Sequence, residues 1–345
     1  MRFLFSRMIK WEHGGSQHMI YPKFLKKGDL IGISAPSAGV GHKLDLYNTS
    51  LETLQKEGYR ILETEHVRID DPRGGTAEER GEELSSLFEN PEVNAVFCAA
   101  GGDFLSEILP YVRWKSLRRH PVWLAGASDP TSLLFTYTVK YDVATFYGFN
   151  AGSFDEQPLP DHLKNALKLI KGRKVVQKTS EMFASKPGFA DDYAGFDTPT
   201  EWKSNRKKIN ASGRCIGGCI DVLKDLIGTP YECVSSFVRR YHDDQMIWYF
   251  DNFSMSAECF YRTLLQMRYA GWFDSTGAVI VGRVLFPSSE TGMSYEEAIE
   301  RALPDIPVIF DADVGHTNPS FTMINGALMD LSYRNGKGRI TFRCA

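Results

Sequence analysis

Hydrophobic and polar residues follow a repeating order through the first half of the chain. Short, mainly apolar runs occur at 28–34, 59–62, 95–100 and 122–126, and all but the second end in small residues. Between them, residues 43–57 and 78–90 carry apolar side chains at helical spacing, and Gly58 suits the end of the first helix. Buried strands that alternate with amphipathic helices predict a parallel sheet with helices on both faces, and such sheets bind ligands beyond the carboxyl ends of their strands.

The order changes near residue 155. Lys, Asp, Pro and Gly are scattered over 155–210 around one clear helix near 160–171. Farther on, the pattern predicts helices at 219–227 and 256–269, and strands at 246–251, 278–285 and 306–311. We therefore predict an α/β protein with the active site at a domain interface, made of an extension over 1–18 outside the fold, an N-terminal doubly wound parallel-sheet domain over 19–155, a connecting region over 156–210 and a C-terminal α+β domain over 211–345.

Composition narrows the class of protein. A chain of 345 residues suits two domains, and 43% hydrophobic with 24% charged residues excludes a disordered or fibrous protein. The net charge of −3 and the short basic clusters at 118–119 and 206–208 predict no nucleic-acid partner. Because Arg7 and Lys10 interrupt the apolar start and no later run approaches ~18–20 apolar residues, we expect a cytoplasmic protein without a membrane partner.

Cysteines and phosphate-binding motifs predict neither a metal nor a cofactor. The six cysteines, at 98, 215, 219, 233, 259 and 344, are too irregular for a disulfide framework, so we expect reduced thiols. Cys215 and Cys219 are close enough to suggest metal, but no second Cys/His pair stands at zinc spacing, and small residues beside a glycine turn are the alternative. No Gly-x-Gly-x-x-Gly string and no Gly-x-x-x-x-Gly-Lys-(Ser/Thr) string follows a predicted strand, so the sequence carries neither of these motifs for binding nucleotide phosphates.

Ser128 stands where an apolar strand breaks and a helix begins, in the string Gly126-Ala-Ser-Asp followed by Pro130. This layout is typical of a nucleophile elbow, which projects the serine hydroxyl above the sheet next to the free amides of a helix start. The alternative is structural, since Ser and Asp before Pro are also ordinary helix N-cap residues.

Two further loops could complete a hydrolase site. Gly101 and Gly102 follow a strand and allow backbone amides to approach a reacting carbonyl, although a tight turn is the alternative. A serine hydrolase also needs a base, and His316 follows a buried strand in the loop Asp311-Ala-Asp-Val-Gly-His-Thr. The other histidines lie in polar surroundings or in the extension, where surface roles are expected.

Taken together, these strings resemble the LD-carboxypeptidase family, which also contains microcin-immunity hydrolases. The likeness runs from about Tyr21 to about Met329. Its motifs, in order, are Lys27-Gly-Asp-Leu-Ile-Gly-Ile-Ser-Ala-Pro-Ser, Ala100-Gly-Gly, Gly126-Ala-Ser-Asp, Gly217-Gly-Cys followed by Leu226-Ile-Gly-Thr-Pro-Tyr-Glu, and Gly315-His-Thr. The resemblance implies a doubly wound N-terminal domain, a C-terminal domain that supplies acid and base, and commonly a homodimer.

The resemblance also implies a Ser-Glu-His triad with Ser128 and His316. The glutamate position at the end of strand 247–251 is taken by Asp251, which is one methylene shorter, and Glu258 on the following helix is the alternative acid that we favour less. Cys219 stands where the family often has Asn, which leaves the local substrate contacts open. The oxyanion hole is expected from the backbone amides of Gly102, Asp103 and Asp129.

The expected function is hydrolysis of the amide bond before a C-terminal D-amino acid of short murein-type peptides, through an acyl-enzyme. The first alternative is a microcin-immunity hydrolase of aminoacyl-nucleotide amides, for which Trp202 is a candidate to stack on the base, with packing as its other role. An alternative of another class is an inactive peptide-binding protein that lost turnover through the change to Asp251.

Overall fold

The structure is a computed structural model that describes residues 18–188, 190 and 193–344. Residues 1–17 of the predicted extension lie outside the described residues. The strands are β1 Leu30–Ser34, β2 Arg60–Glu63, β3 Val93–Cys98, β4 Trp123–Gly126, β5 Thr145–Tyr147, β6 Gln177–Lys178, β7 Met182–Phe183, β8 Thr198–Pro199, β9 Lys203–Ser204, β10 Lys208–Cys219, β11 Met246–Asp251, β12 Thr276–Gly282, β13 Val308–Ala312, β14 Met323–Asn325, β15 Leu328–Arg334 and β16 Lys337–Arg343. The helices are α1 Leu44–Lys56, α2 Ala77–Glu89, α3 Trp114–Arg119, α4 Thr131–Tyr141, α5 Asp161–Ile170, α6 Ile220–Leu226, α7 Val234–Arg240, α8 Ala257–Tyr269 and α9 Tyr295–Ala302.

The first sheet has the strand order β14-β5-β4-β3-β1-β2. Strands β1 to β5 are parallel, and β14 adds to β5 in the antiparallel direction. The chain therefore winds outward in both directions from β1 and β3, as the alternating pattern predicted. In a doubly wound sheet the loops that diverge at this switch point open a crevice beyond the strand ends, and the loops after β1 and β3 border it here.

The second sheet has the order β6-β16-β15-β10-β11-β12-β13-β9. Its centre, β10 to β13, is parallel, while β15, β16 and the two short edge strands are antiparallel. The edge strands β6 and β9 come from the region between residues 156 and 210, and β14 comes from the far half of the chain. Each sheet thus takes strands from outside its own main segment, which joins the two halves tightly.

Helix α4 packs between the two sheets, and it begins directly after the turn that carries Ser128. Every residue of α4 except Lys140 is buried, because it contacts β4 and β5 on one side and β10 and α6 on the other. Most of its buried side chains are apolar, and the remaining ones are small hydroxyl residues, so the helix suits a protein interior. On the side of the second sheet, Phe135 stacks on Trp272 with ring centroids 5.3 Å apart.

The predicted elements agree with the structure in kind and nearly in extent. Helix α1 ends before Gly58, whose φ of +98° is the left-handed conformation expected of a glycine at a helix C-terminus. The α/β class and the parallel first sheet are confirmed. The short strands between 156 and 210 carried no pattern of their own, because two-residue edge strands are defined by their partners. Among the described residues, no helix is both long and apolar enough to cross a membrane.

Candidate active site

Ser128 lies in a tight turn between β4 and α4. Its φ is +70°, a left-handed conformation that non-glycine residues adopt at a cost of about 1–3 kcal/mol and that clusters at functional sites. The turn is possible because Gly126 has no side chain: a Cβ there would lie 2.6 Å from Cβ of Pro130 and 3.2 Å from Sγ of Cys98. The strained serine between a strand and a helix is the geometry of a nucleophile elbow.

The loop after β3 passes directly beside this serine. A Cβ on Gly101 would lie 2.9 Å from Cβ of Ser128 and 3.2 Å from its Oγ, so the approach of the two loops requires glycine. Within the part of the chain that the structure describes, no hydrogen bond takes up the backbone N–H groups of Gly102, Asp103 and Asp129. These three groups, two in the loop after β3 and one directly after Ser128, therefore have no hydrogen-bond partner among the described residues.

The side chain of Asp129 holds these loops together. Its Oδ2 accepts hydrogen bonds from the Ser37 hydroxyl and, at 2.9 Å, from the backbone N–H of Leu105. The side chain is buried, and burial raises the pKa of this carboxyl above its usual value. Asp129 thus has two different parts: a carboxylate that ties the loops after β1 and β3 to α4, and a backbone amide that is left free beside Ser128.

Asp251 and His316 form a buried acid-imidazole pair at the ends of two strands of the second sheet. Asp251 ends β11 and is 1% exposed, and His316 follows β13. The Nδ1 of His316 lies 2.9 Å from Oδ1 and 2.8 Å from Oδ2 of Asp251, and the backbone N–H of His316 donates to Oδ1 at 3.2 Å. The carboxylate therefore holds both the ring and the backbone of the histidine.

Gly315 allows the histidine loop to come this close. Its φ is +100°, and a Cβ there would lie 2.0 Å from Oδ1 of Asp251. No other residue type fits, because any side chain would occupy the space of the carboxylate oxygen. The loop thus approaches the acid closely enough for a side chain as short as aspartate to reach the imidazole.

The two groups shift each other's protonation. Burial favours the neutral carboxyl, but the charge and hydrogen bonds of His316, together with a hydrogen bond from Tyr147, hold the pKa of Asp251 below its ordinary value. Burial likewise opposes the imidazolium, yet the charge of Asp251 and its hydrogen bond raise the pKa of His316, with a smaller contribution from Asp221. The pair is therefore a carboxylate that stabilises a protonated imidazole.

Tyr147 connects this pair to the serine. Its hydroxyl donates to Oδ2 of Asp251, and its oxygen accepts the backbone N–H of Ser128 at 3.3 Å. Across the described residues, no hydrogen bond joins the Ser128 hydroxyl directly to His316. Such catalytic contacts are often long in the absence of substrate. The structure thus brings Ser128, Asp251 and His316 to one place through a shared neighbour.

Comparisons with known proteins match both halves of the chain to one family. A family model described as the LD-carboxypeptidase N-terminal domain matches residues 31–148, and one described as the LD-carboxypeptidase C-terminal domain matches residues 212–331. Together they match more than half of the chain. The chain belongs to the LD-carboxypeptidase family. It is accordingly a serine-type carboxypeptidase-like hydrolase, as the resemblance implied.

Individual relatives carry names of both branches that the sequence suggested. A putative carboxypeptidase of Vibrio cholerae is 26% identical over 92% of this chain and 96% of its own. The microcin C7 self-immunity protein MccF of Escherichia coli is 25% identical over 94% of this chain and 96% of its own, and a probable murein peptide carboxypeptidase of Bacillus subtilis is 24% identical over 89% of each. A solved apo structure of MccF covers 94% of this chain and 99% of its own with a TM-score of 0.78 and 22% identity, which supports the fold.

Glu258, the alternative acid, has other partners in this LD-carboxypeptidase family member. Its Oε1 accepts hydrogen bonds from the hydroxyls of Ser289 and Thr291 and from the backbone N–H groups of Glu290 and Thr291, at 2.6 to 3.1 Å. The hydroxyls of Thr291 and Ser289, followed by the backbone N–H groups of Thr291 and of Glu258 itself, lower the pKa of Glu258. Its carboxylate therefore organises the 289–291 loop, and no described contact joins it to His316.

Trp202 is packed rather than available to a ligand. The side chain is 1% exposed, its Nε1–H donates to Oδ2 of Asp313 at 2.9 Å, and its ring contacts Phe321 with centroids 5.7 Å apart. The hypothesis that Trp202 stacks on a nucleotide base is therefore wrong for this conformation, and its packing role is the one that the structure gives. Asp313 also receives a hydrogen bond from Arg283 at 2.7 Å, so the tryptophan braces the loop that carries His316.

Cys219 lies beside the acid-imidazole pair. Its Sγ, one nitrogen of His316 and one oxygen of Asp251 all lie within 4.8 Å of one another, a donor set that could hold a metal ion. The Sγ also lies 3.6 Å from Oδ2 of Asp221, and burial raises the pKa of the thiol well above its usual value. Nδ1 of His316 is already bound to Asp251, so we interpret the pair as an arrangement for proton transfer and not as two metal ligands. All six cysteines carry free thiols.

Two residues of the site were not predicted from the sequence. Tyr147 ends a strand that no motif singled out, although its place at the carboxyl end of β5, beside the elbow, could have drawn attention to it. Phe253 lies over the imidazole of His316 with ring centroids 4.7 Å apart, and its backbone N–H donates to Asp221 at 3.0 Å. No spacing in the sequence connects Tyr147 to Asp251 or Phe253 to His316, because both contacts join distant segments.

Proposed function

We propose that this hydrolase is an LD-carboxypeptidase that uses Ser128, His316 and Asp251 to cleave the amide bond before a C-terminal D-amino acid of short murein peptides. The observation that carries the proposal is the buried pair of Asp251 and His316, connected through Tyr147 to a serine with the backbone strain of a nucleophile elbow. The family supplies the reaction class. The murein substrate is supported by the name of the Bacillus subtilis relative.

The geometry supports a specific order of proton transfers. Because Nδ1 of His316 is bound to Asp251, Nε2 is the nitrogen that takes the proton from Ser128 as its oxygen attacks the peptide carbonyl. His316 then gives this proton to the leaving amine, which breaks the amide bond and leaves an acyl-enzyme. Water, deprotonated by the same nitrogen, hydrolyses the ester and regenerates the serine.

The negative charge on the attacked carbonyl oxygen is assigned to the free amides of Gly102, Asp103 and Asp129. Each such donor typically lowers the barrier by about 3–4 kcal/mol. Asp251 keeps the imidazole in the required tautomer and stabilises its cation, which is the role of the carboxylate in other triads. The substitution of aspartate for the family glutamate is compatible with this role, because Gly315 brings the histidine loop onto the shorter side chain.

The experiment that tests the proposal combines labelling with turnover. A fluorophosphonate probe is expected to label wild-type protein and to leave Ser128→Ala unlabelled, while murein tetrapeptide releases D-alanine only with the wild type. Ser132→Ala is the matched control, because this buried hydroxyl donates to the backbone oxygen of Asp129 and is not the proposed nucleophile. Labelling or D-alanine release that persists in Ser128→Ala contradicts the assignment, and an unlabelled wild type supports an inactive binding protein.

A second candidate substrate is an aminoacyl-nucleotide amide of the microcin type, favoured by the similarity to MccF over 94% of the chain. A stacking residue other than the buried Trp202 would have to hold the base. Measuring kcat/KM for the tetrapeptide and for an aminoacyl-sulfamoyl nucleoside side by side decides between the two, since a clear preference for the nucleoside refutes the murein assignment.

We also propose that the enzyme acts as a homodimer in the cytoplasm, on peptides released during peptidoglycan recycling. The family resemblance supports the homodimer and the role in recycling. Light scattering coupled to size-exclusion chromatography measures the first, and a mass of about 39 kDa, that of one chain, contradicts it.

A further inference from the structure

Tyr147 stands where the two sheets meet. It ends β5 in the first sheet, and Asp251 ends β11 in the second. Both side chains are 1% exposed. Polar groups buried this deeply are nearly always hydrogen-bonded, so the partners of the phenol hydroxyl indicate what it is for.

The hydroxyl has one partner from each half of the proposed triad. It donates its proton to Oδ2 of Asp251, and it accepts the backbone N–H of Ser128 at 3.3 Å. The ionised carboxylate can only accept and the backbone N–H can only donate, so the group between them must do both, as a hydroxyl does with one atom. We propose that Tyr147 is a positioning residue that holds the Asp251 carboxylate and the Ser128 backbone in register for proton transfer to His316. This inference rests on the proposed function.

The Asp251 end of the contact keeps the acid ionised. Oδ1 of Asp251 accepts hydrogen bonds from the backbone N–H and from the ring of His316. Oδ2 also lies close to that ring, and it accepts a hydrogen bond from the hydroxyl of Tyr147. Burial disfavours the charged form of Asp251. The interactions with His316, and to a smaller extent the hydrogen bond from Tyr147, oppose this effect and lower the pKa of the carboxyl. Without the phenol, the second oxygen would be left with the imidazole alone and the carboxylate would be free to turn.

The Ser128 end of the contact restrains a strained turn. The φ of +70° at Ser128 persists only if neighbouring groups hold the backbone there. The neighbouring amide of Ala127 donates to Oδ1 of Asn150 at 3.0 Å, so two successive amides of the turn are bound by side chains. Tyr147 is the one of these two anchors that also reaches the second sheet, and it therefore links the position of the nucleophile to that of the acid.

Other titratable groups near the pair do not replace the phenol. Tyr249 and Cys219 are buried, and desolvation raises the pKa of each well above its usual value, so both are neutral. The hydroxyl of Tyr249 donates to Oδ1 of Asn325 at 3.0 Å. Asp221 acts on His316 by its charge, and its oxygens accept the backbone N–H groups of residues 253 and 254. Within the described residues, Tyr147 is the hydroxyl that reaches Asp251.

The test is Tyr147→Phe, with Tyr137→Phe as the matched control. Tyr137 is fully buried, and its hydroxyl donates to the backbone oxygen of Leu117 at 2.7 Å, away from the site. We expect Tyr147→Phe to lower kcat by about 10- to 100-fold, because ~1 Å of misplacement can cost ~10²-fold, and to change KM by less than about twofold. Tyr137→Phe removes an equivalent buried hydroxyl and is expected to leave kcat unchanged.

The pH profile separates positioning from general destabilisation. A carboxylate that loses a donor holds a proton more strongly and also stabilises imidazolium more strongly. The acid limb of kcat/KM against pH is therefore expected to move to higher pH in Tyr147→Phe and to stay in place in Tyr137→Phe. A wild-type kcat and an unmoved limb in folded Tyr147→Phe overturn the inference.

A second measurement applies if Tyr147→Phe does not fold. Site-specific 3-fluorotyrosine at position 147 keeps the shape and makes the phenol a stronger donor, so the acid limb is expected to move to lower pH; an unmoved limb overturns the inference. Fluorophosphonate labelling of wild-type Ser128 distinguishes a failure of the proposed function from a failure of the Tyr147 inference alone. Absence of labelling defeats the proposed function and this inference with it, whereas normal labelling with unaffected Tyr147 variants defeats this inference alone.

Discussion

Replacing Gly315 by alanine is expected to separate the histidine from its acid. The added Cβ would lie 2.0 Å from Oδ1 of Asp251, whereas real Cβ contacts below 3.0 Å essentially never occur. The loop or the carboxylate must therefore move by about 1 Å. On the scale where ~1 Å of misplacement can cost ~10²-fold in rate, we expect kcat to fall by about two orders of magnitude.

The same substitution also costs stability. The φ of +100° at position 315 is unfavourable for alanine by about 1–3 kcal/mol, and forcing extra volume into a packed site adds a similar amount. We therefore expect the free energy of unfolding to fall by about 2–6 kcal/mol. Denaturant unfolding measures this loss, and steady-state hydrolysis of tetrapeptide at the same temperature measures kcat.

Gly28→Ala is the control for backbone strain without a clash. Gly28 has a φ of +90°, and nothing lies within 4 Å of the Cβ that would be added. This variant is expected to lose about 1–3 kcal/mol of stability and no activity. If Gly315→Ala retains full kcat and loses no more stability than Gly28→Ala, the close contact with Asp251 does not govern the position of His316 and the reasoning fails.

Three further changes test other parts of the site. Asp251→Asn is expected to lower kcat by about 10⁴-fold and to shift the acid limb of kcat/KM to lower pH, because the carboxylate raises the pKa of His316; an unmoved limb would contradict this. By the same coupling, the wild-type limb is expected above the ordinary histidine pKa of about 6.5. Gly101→Ala would place a Cβ 2.9 Å from that of Ser128, so fluorophosphonate labelling is expected to slow at least tenfold, with equal rates as the contradictory result. Asp313→Ala removes the buried partner of three side chains, those of Arg283, Trp202 and Ser180, and is expected to lower the free energy of unfolding by about 3–5 kcal/mol, measured in denaturant.

The buried pair also predicts how stability depends on pH. The pKa of Asp251 is lowered in the folded protein, so its contribution is present above the unfolded pKa of about 3.9 and is lost as pH falls through the folded value. The pKa of His316 is raised, so its contribution is present below about 6.5 and is lost as pH rises through the folded value. We expect the free energies of unfolding of wild type and Asp251→Asn to differ most between these two pH limits. A difference that does not depend on pH would contradict this reasoning.

Sequence reasoning was most successful where chemistry follows from local structure. The strand that breaks at Ser128 was visible because a buried strand and a following helix have different hydrophobic periods. His316 was selected by its loop after a buried strand, and the family resemblance related the two. The family itself is confirmed. The roles of Ser128, Asp251 and His316 remain proposals that the geometry supports.

Sequence reasoning was least successful where a function depends on packing between distant segments. Trp202 is of a residue type that often stacks on ligands, yet in the fold its side chain is buried against Asp313. Glu258 and Asp251 are both acids near one strand end, and only the direction of their side chains in the fold separates them. Whether an aromatic or acidic side chain is accessible is a property of its neighbours in space.

By itself, the sequence determined the alternation of strands and helices in the first half of the chain, the strand-to-helix break at Ser128 and the family, because periodicity and short motifs are local properties. The tertiary structure alone decided that Tyr147 contacts Asp251 across 104 positions of the chain, and that Gly315 is needed beside that carboxylate. The physical reason is that hydrogen bonds and steric contacts act over a few ångströms. Residues far apart in the chain therefore acquire a shared role only when two sheets pack together.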